Sequence, residues 1–124
     1  FEDKNNAYML LELCENKSLG ELMNSRRGML TEFECRFYFK QIIEALKYMH
    51  AERVIHRDIK LGNCFLNEKM QVKIGDFGLA LELPDELNCE LSLRHSICGT
   101  PNYMPPEILI CLEEEYNGVC GYTQ

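Results

Sequence analysis

Two short blocks hold the side chains of this sequence best able to do chemistry together. His56-Arg57-Asp58-Ile59-Lys60-Leu61-Gly62-Asn63 comes first, and Asp76-Phe77-Gly78 begins thirteen residues beyond Asn63. The first fits the pattern H-R-D-L-x-x-x-N with Ile59 in place of Leu, and the second is D-F-G. An Asp, a Lys, an Asn and a second Asp in this order suit phosphoryl transfer, whose loose transition state asks a protein mainly for positioning and charge neutralisation. Asp58 would accept or orient the proton of an attacking hydroxyl, and Lys60 would reach the transferring phosphate as a point charge. Asn63 and Asp76 would hold magnesium, which prefers octahedral oxygen ligands and keeps several waters. Gly75 and Gly78 flank Asp76-Phe77 and would free the backbone to turn sharply there.

Each residue also has a plainer alternative. Asp58 and Asp76 could cap or turn the chain, Lys60 could be a solvated charge, and Asn63 could close an Asx-turn. D-F-G alone recurs by chance. Both blocks in this order, with Pro106-Glu107 downstream, make the joint chemical reading the stronger one.

The surrounding elements would position these groups. Arg53-Val54-Ile55 is a short β-prone run ahead of the first block. Cys64-Phe65-Leu66 follows it, Glu68-Lys69 makes a polar turn, and Gln71-Val72-Lys73-Ile74 alternates like a strand. A hairpin would thus present Asn63 and Asp76 side by side. Upstream, Thr31-Glu32-Phe33-Glu34 reads as a capping box opening a helix to about Met49. Glu32, Arg36, Lys40 and Lys47 share one face. Phe33, Phe37, Tyr38, Ile42, Ile43, Ala45, Leu46 and Met49 cover much of the rest, an arc wide enough to predict burial on several sides, against elements not all within this chain. Core packing explains Phe37-Tyr38-Phe39 better than a ligand site does. Ser18-Leu19-Gly20-Glu21 is a second capping box, for a brief helix closed by Arg26-Arg27-Gly28. Tyr8-Met9-Leu10-Leu11-Glu12-Leu13 reads as a buried strand.

With these residues in view, the chain resembles the middle of a protein kinase domain, and among kinases the polo-like family. The resemblance rests on Ser18-Leu19, the run from Arg53 to Asn63, Phe65-Leu66-Asn67, the run from Val72 to Ala80, and Cys98-Gly99-Thr100-Pro101-Asn102-Tyr103. It covers nearly the whole chain, most strongly residues 53–107. It implies an α/β (α+β) kinase-like fold, present in part: a hinge strand (8–15), the first part of the helical C-terminal lobe with its catalytic loop (56–63), and an activation segment (76–107). It also implies a serine/threonine kinase of cell division that uses ATP and magnesium on protein substrates. Lys60, two residues after Asp58, resembles the serine/threonine pattern. By position, Leu11 would be the gatekeeper, Glu12 and Cys14 would offer the hinge carbonyl and amide to adenine, and Phe65 would form the apolar floor beneath the purine. Lys60, Asn63 and Asp76 would complete the nucleotide site. An acidic preference around the target hydroxyl is implied in the same way.

Ser96 stands where the polo-like family resembles itself in carrying an activating Thr. A phosphate there would pair with Arg57 and order the segment; a loop serine without a role is the alternative. Thr100 would bridge Asp58 and Lys60, or simply open a turn before Pro101. Pro105 replaces the small residue of the family's x-Ala-Pro-Glu and removes a backbone donor. Neither a Gly-rich phosphate loop nor a Val-Ala-Ile-Lys lysine precedes the hinge segment, and the sequence stops soon after Glu107. The chain therefore reads as a fragment of a longer product, and the isolated polypeptide is expected to have little or no kinase activity; robust phosphorylation of casein by it would overturn that. A pseudokinase or truncated product acting through protein contacts is the alternative, although such proteins commonly lose one of Asp58, Lys60, Asn63 and Asp76.

Composition bounds the function further. A net charge of −7 over 124 residues argues against nonspecific nucleic-acid binding. The acidic stretches 82–90 and 113–115 read as solvated faces or loops, and 88–100 as the most flexible part. Seven cysteines without C-x-x-C suggest reduced thiols in the cytoplasm or nucleus, with centrosome or spindle implied by the resemblance. No apolar run has the length to span a bilayer.

Overall fold

The computed structural model describes residues 2–83, 98–106 and 109–110. Ser18 and Thr31 both act as N-caps with reciprocal capping boxes, to Glu21 and Glu34 respectively. Each box satisfies backbone donors that a first helical turn leaves unpaired. They open helix α1 (Leu19–Ser25) and helix α2 (Glu32–Ala51). The Thr31 backbone N–H, the Thr31 hydroxyl and Arg26 hold the Glu34 carboxyl down at about 2. The Arg26–Glu34 ion pair also ties the end of α1 to the start of α2. Arg27 and Gly28 take positive φ values of 55° and 81°, which stop α1.

Four short strands follow among the described residues: β1 (Val54–Ile55), β2 (Cys64–Leu66), β3 (Val72–Ile74) and β4 (Leu81–Glu82). β2 and β3 form the expected antiparallel hairpin, with Cys64 opposite Ile74, Phe65 opposite Lys73 and Leu66 opposite Val72. β1 pairs with β4, Val54 opposite Glu82. That pairing encloses both chemical blocks between its two strands. The core is Leu19, Tyr38, Cys64 and Leu66, with Leu22, Leu30, Ile42, Leu61, Met70, Val72 and Ile74 packed around it. Fully burying Leu66 contributes about 1.5–3 kcal/mol. Gln41 extends the hold of α2 on the hairpin by accepting the Val72 N–H at 2.9 Å.

Two expectations need correction. Residues 8–13 are not a buried strand: they belong to no ladder, and Leu10 is 96% exposed. A strand is made by its partner, and no described strand shares a backbone ladder with this segment, although Glu12 meets Lys73 of β3 through its side chain. On α2, Tyr38 and Met49 are buried, while Phe33, Phe37, Phe39, Ile43 and Tyr48 are exposed among the described residues, so much of its apolar arc is left for elements outside them to cover. The turn at the second block is not made by Gly75 and Gly78 either. Asp76 itself adopts the left-handed conformation, φ 61° and ψ 67°, which a short polar side chain tolerates better than most. Residues 84–97, 107–108 and 111–124, which hold Ser96, Glu107 and most of both acidic stretches, lie outside the described residues.

Candidate functional site

The first block is an irregular loop between β1 and a 3₁₀ turn at Leu61–Asn63. Arg57 takes a φ of 64°, and this reversal leaves Asp58 only 8% exposed. A buried carboxylate must be paired to be tolerated. Asp58 is paired on both oxygens. Oδ2 accepts Lys60 Nζ at 2.7 Å and Asn63 Nδ2 at 3.0 Å, and Oδ1 accepts the Thr100 hydroxyl at 2.6 Å. The Thr100 oxygen in turn accepts from Lys60 Nζ at 2.6 Å, closing a triangle of Asp58, Lys60 and Thr100. Burial pushes the Asp58 carboxyl up, but the bonds from Lys60, Thr100 and Asn63, with the Lys60 charge, outweigh it and hold it at about 2.

Thr100 reaches the triangle because Gly99 runs directly over the loop. At φ 117°, a Cβ on Gly99 would lie 2.8 Å from the Arg57 carbonyl oxygen. The Arg57 side chain donates Nε to the Leu79 carbonyl at 2.7 Å. Its expected partner, Ser96, is outside the described residues.

Asn63 Nδ2 also donates to the Asp58 carbonyl at 2.9 Å, so both its protons face the loop and Oδ1 is left as an acceptor. The Gly75 N–H donates to the Asn63 carbonyl at 2.9 Å, which continues the hairpin and sets Asp76 next to Asn63. The Asp76 carboxylate is exposed and Asn63 Oδ1 keeps acceptor capacity, and both are hard oxygens of the kind a small divalent cation takes. Among the described residues there is no group of three or more His, Cys, Asp and Glu that could enclose a metal. Ligands from phosphate and water would have to complete the shell, as magnesium at phosphate sites ordinarily requires.

The hinge residues are only partly gathered. Leu11 is 73% exposed, and Glu12 pairs with Lys73 at 3.1 Å. Cys14 is half-buried, and its carbonyl accepts from Lys17 N–H at 3.2 Å. Beyond it the chain docks on β2: Asn16 N–H donates to the Leu66 carbonyl at 3.1 Å, and Leu66 N–H to the Lys17 carbonyl at 2.7 Å. The Phe65 ring lies against Gly75.

The sequence reading left out two positioning residues. His56 is 2% exposed; its Nε2 bonds to the Gly75 carbonyl at 3.0 Å and its Nδ1 accepts the Asp58 N–H at 3.3 Å. A carbonyl can only accept, so Nε2 carries the proton. The ring also packs at a tilt against Phe77, centroids 4.8 Å apart. His56 opens the first block, which was its only signal. Gly99 had one as well, standing immediately before Thr100.

The sequence comparisons agree with this geometry. Residues 1–120 match the family model described as protein kinase domain. The chain is 54% identical over 109 residues to serine/threonine-protein kinase polo of Drosophila melanogaster, covering 88% of this chain and 18% of that protein. It is 51% identical over 110 residues to serine/threonine-protein kinase PLK2 of Mus musculus, covering 88% of this chain and 15% of that one. With the cell cycle serine/threonine-protein kinase CDC5/MSD2 of Saccharomyces cerevisiae it shares 54% over 110 residues, 89% of this chain and 15% of that protein. The chain therefore spans less than a fifth of the length of these relatives. It belongs to the protein kinase domain family, on its polo-like branch.

Proposed function

We propose that this chain carries the catalytic segment of a serine/threonine kinase of cell division, which transfers the γ-phosphate of ATP to protein hydroxyls with magnesium. The observation that supports the reading is the closed contact of Asp58, Lys60, Thr100 and Asn63, with Gly75, the chain neighbour of Asp76, bonded to the Asn63 carbonyl. Magnesium, when bound with ATP, would neutralise charge on the phosphates. Asn63 Oδ1 and Asp76 are the groups of this chain that would hold it.

The lone pairs of Asp58 say where a substrate would sit. A carboxylate offers about four acceptor sites. Two on Oδ2 go to Lys60 and Asn63, and one on Oδ1 goes to Thr100. The remaining site, on Oδ1 beside the Thr100 hydroxyl, is where an incoming Ser or Thr would donate its proton. A carboxyl held near 2 is a weak base at neutral pH. Asp58 would therefore orient the hydroxyl and take its proton late, as a loose transition state permits. Lys60, 2.7 Å from Asp58, would bring its charge to the phosphate as the bond to the leaving group lengthens.

The presence of Asp58, Lys60, Asn63 and Asp76 together speaks against a pseudokinase. The partners proposed are ATP and proteins with Ser or Thr acceptors, with acidic residues nearby preferred. Neither nucleic acid nor membrane is proposed as a partner; the net charge of −7 speaks against nonspecific nucleic-acid binding. The proposed setting is the cytoplasm or nucleus, including centrosome or spindle. The test is transfer of labelled phosphate from ATP to casein by the full-length protein. Asp58→Ala should lower kcat by about 10²–10⁴-fold, and a variant as active as the parent would overturn the assignment.

A further inference from the structure

Among the described residues, the outer edge of β3 is held by a side chain rather than by a third strand. Leu66 stands opposite Val72, yet its N–H donates to the Lys17 carbonyl and its own carbonyl accepts the Asn16 N–H. The two are therefore a non-hydrogen-bonded pair, and the Val72 N–H points away from β2, toward α2. Gln41 Oε1 accepts it at 2.9 Å. Gln41 Nε2 donates to the Phe37 carbonyl at 3.3 Å, one turn back along the helix. An N–H only donates and a carbonyl only accepts, so these two bonds fix which way round the amide stands. Asp76 follows four residues after Val72.

The same helix packs against β1, the strand that enters the first block. Near its end, Leu46 and His50 line a cavity together with His56, Arg57 and Asp58. One helix thus supports the Asp58 loop at its end and, through Gln41 at its middle, the strand that leads to Asp76. We propose that Gln41 is a positioning residue for phosphoryl transfer: its amide fixes β3 on α2, and with it the place of Asp76 relative to Asp58. The inference rests on the roles proposed for those two carboxylates.

The test is steady-state kinetics on the full-length protein, with kcat, KM for a peptide substrate and melting temperature measured for each variant. Gln41→Leu keeps the bulk but cannot accept the Val72 N–H, so kcat should fall about tenfold while peptide KM changes less than about twofold. Gln41→Glu still accepts it, and the Phe37 carbonyl keeps its helical partner, so kcat should stay within about threefold of the parent. Gly28→Ala, whose added Cβ meets nothing within 4 Å, controls for lost stability and should leave kcat within about twofold. Should Gln41→Leu not fold, Gln41→Asn, too short by a methylene to reach Val72, takes its place with the same expectation. Parent-like kcat in Gln41→Leu overturns the inference, as does a Gln41→Glu or a Gly28→Ala as impaired as Gln41→Leu. Asp76→Ala is measured alongside. If it keeps the parent kcat, the role of Asp76 is misassigned and the inference falls with it; if it is inactive while Gln41→Leu is parent-like, the inference alone fails.

Discussion

His56 Nε2 lies 3.0 Å from the carbonyl oxygen of Gly75. One residue stands two positions before Asp58 and the other immediately before Asp76, so this bond joins the two halves of the site. Its donor also organises the first half, since Nδ1 accepts the Asp58 N–H at 3.3 Å. Replacing His56 by Phe keeps a ring against Phe77 but leaves a buried carbonyl without its partner. The expected cost is about 1–3 kcal/mol of stability. Denaturant unfolding checks it, and kcat/KM should fall more than the small loss of folded protein explains.

Thr100 gives a second test. Thr100→Val conserves shape but removes both the bond to Asp58 Oδ1 and the acceptor for Lys60. Thr100→Ser keeps the hydroxyl. We expect kcat/KM to drop roughly 10–100-fold for Val, in line with losing groups that orient a catalytic carboxylate, and to change little for Ser. Steady-state kinetics on the two variants separates hydroxyl from methyl.

The pH dependence of stability follows from the Asp58 carboxyl being held at about 2, below its ordinary 3.8. A carboxyl with a lowered folded value binds protons more readily when unfolded, so stability rises with pH in the window between the two values. The contribution is present above about 4 and is lost as the pH falls toward about 2. Chemical denaturation from pH 6 down to pH 2 should show the parent losing stability more steeply than Asp58→Asn at the acid end. Parallel curves would contradict it.

Two glycines with positive φ predict different outcomes for the same substitution. A Cβ on Gly28 (φ 81°) meets nothing within 4 Å, so Gly28→Ala should cost only the left-handed backbone penalty, about 1–2 kcal/mol. A Cβ on Gly99 meets the Arg57 carbonyl at 2.8 Å. Gly99→Ala should therefore cost more, and it should also lower kcat by withdrawing Thr100 from the triangle. Thermal melts and kinetics on the pair test this.

The parts of this fold legible in the sequence are those whose causes are local. Both capping boxes sit within four residues, and the hairpin announces itself by alternation at Gln71–Ile74 around the Glu68-Lys69 turn. Ser18, Thr31 and the β2–β3 pair were readable for that reason. The pairing of Val54 with Glu82 depends on chain closure over nearly thirty residues, and no periodicity marks two-residue strands. Residues 8–13 failed for the converse reason: an apolar run shows a wish for burial, while burial needs a neighbour. At the site, residue types announced Asp58, Lys60, Asn63 and Asp76, but the steric role of Gly99 exists only once the Arg57 carbonyl is in place. The left-handed Asp76 was hidden behind two glycines that looked better suited to the turn.

The central claim is that Asn63 and Asp76 form one site for a divalent cation on bound nucleotide. Calorimetric titration of the full-length protein with ATP, with and without magnesium, tests it most directly. The account predicts that magnesium tightens ATP binding in the parent by roughly tenfold or more, and that Asp76→Ala abolishes this gain while leaving magnesium-free binding nearly as it was. Magnesium enhancement undiminished in Asp76→Ala would contradict it.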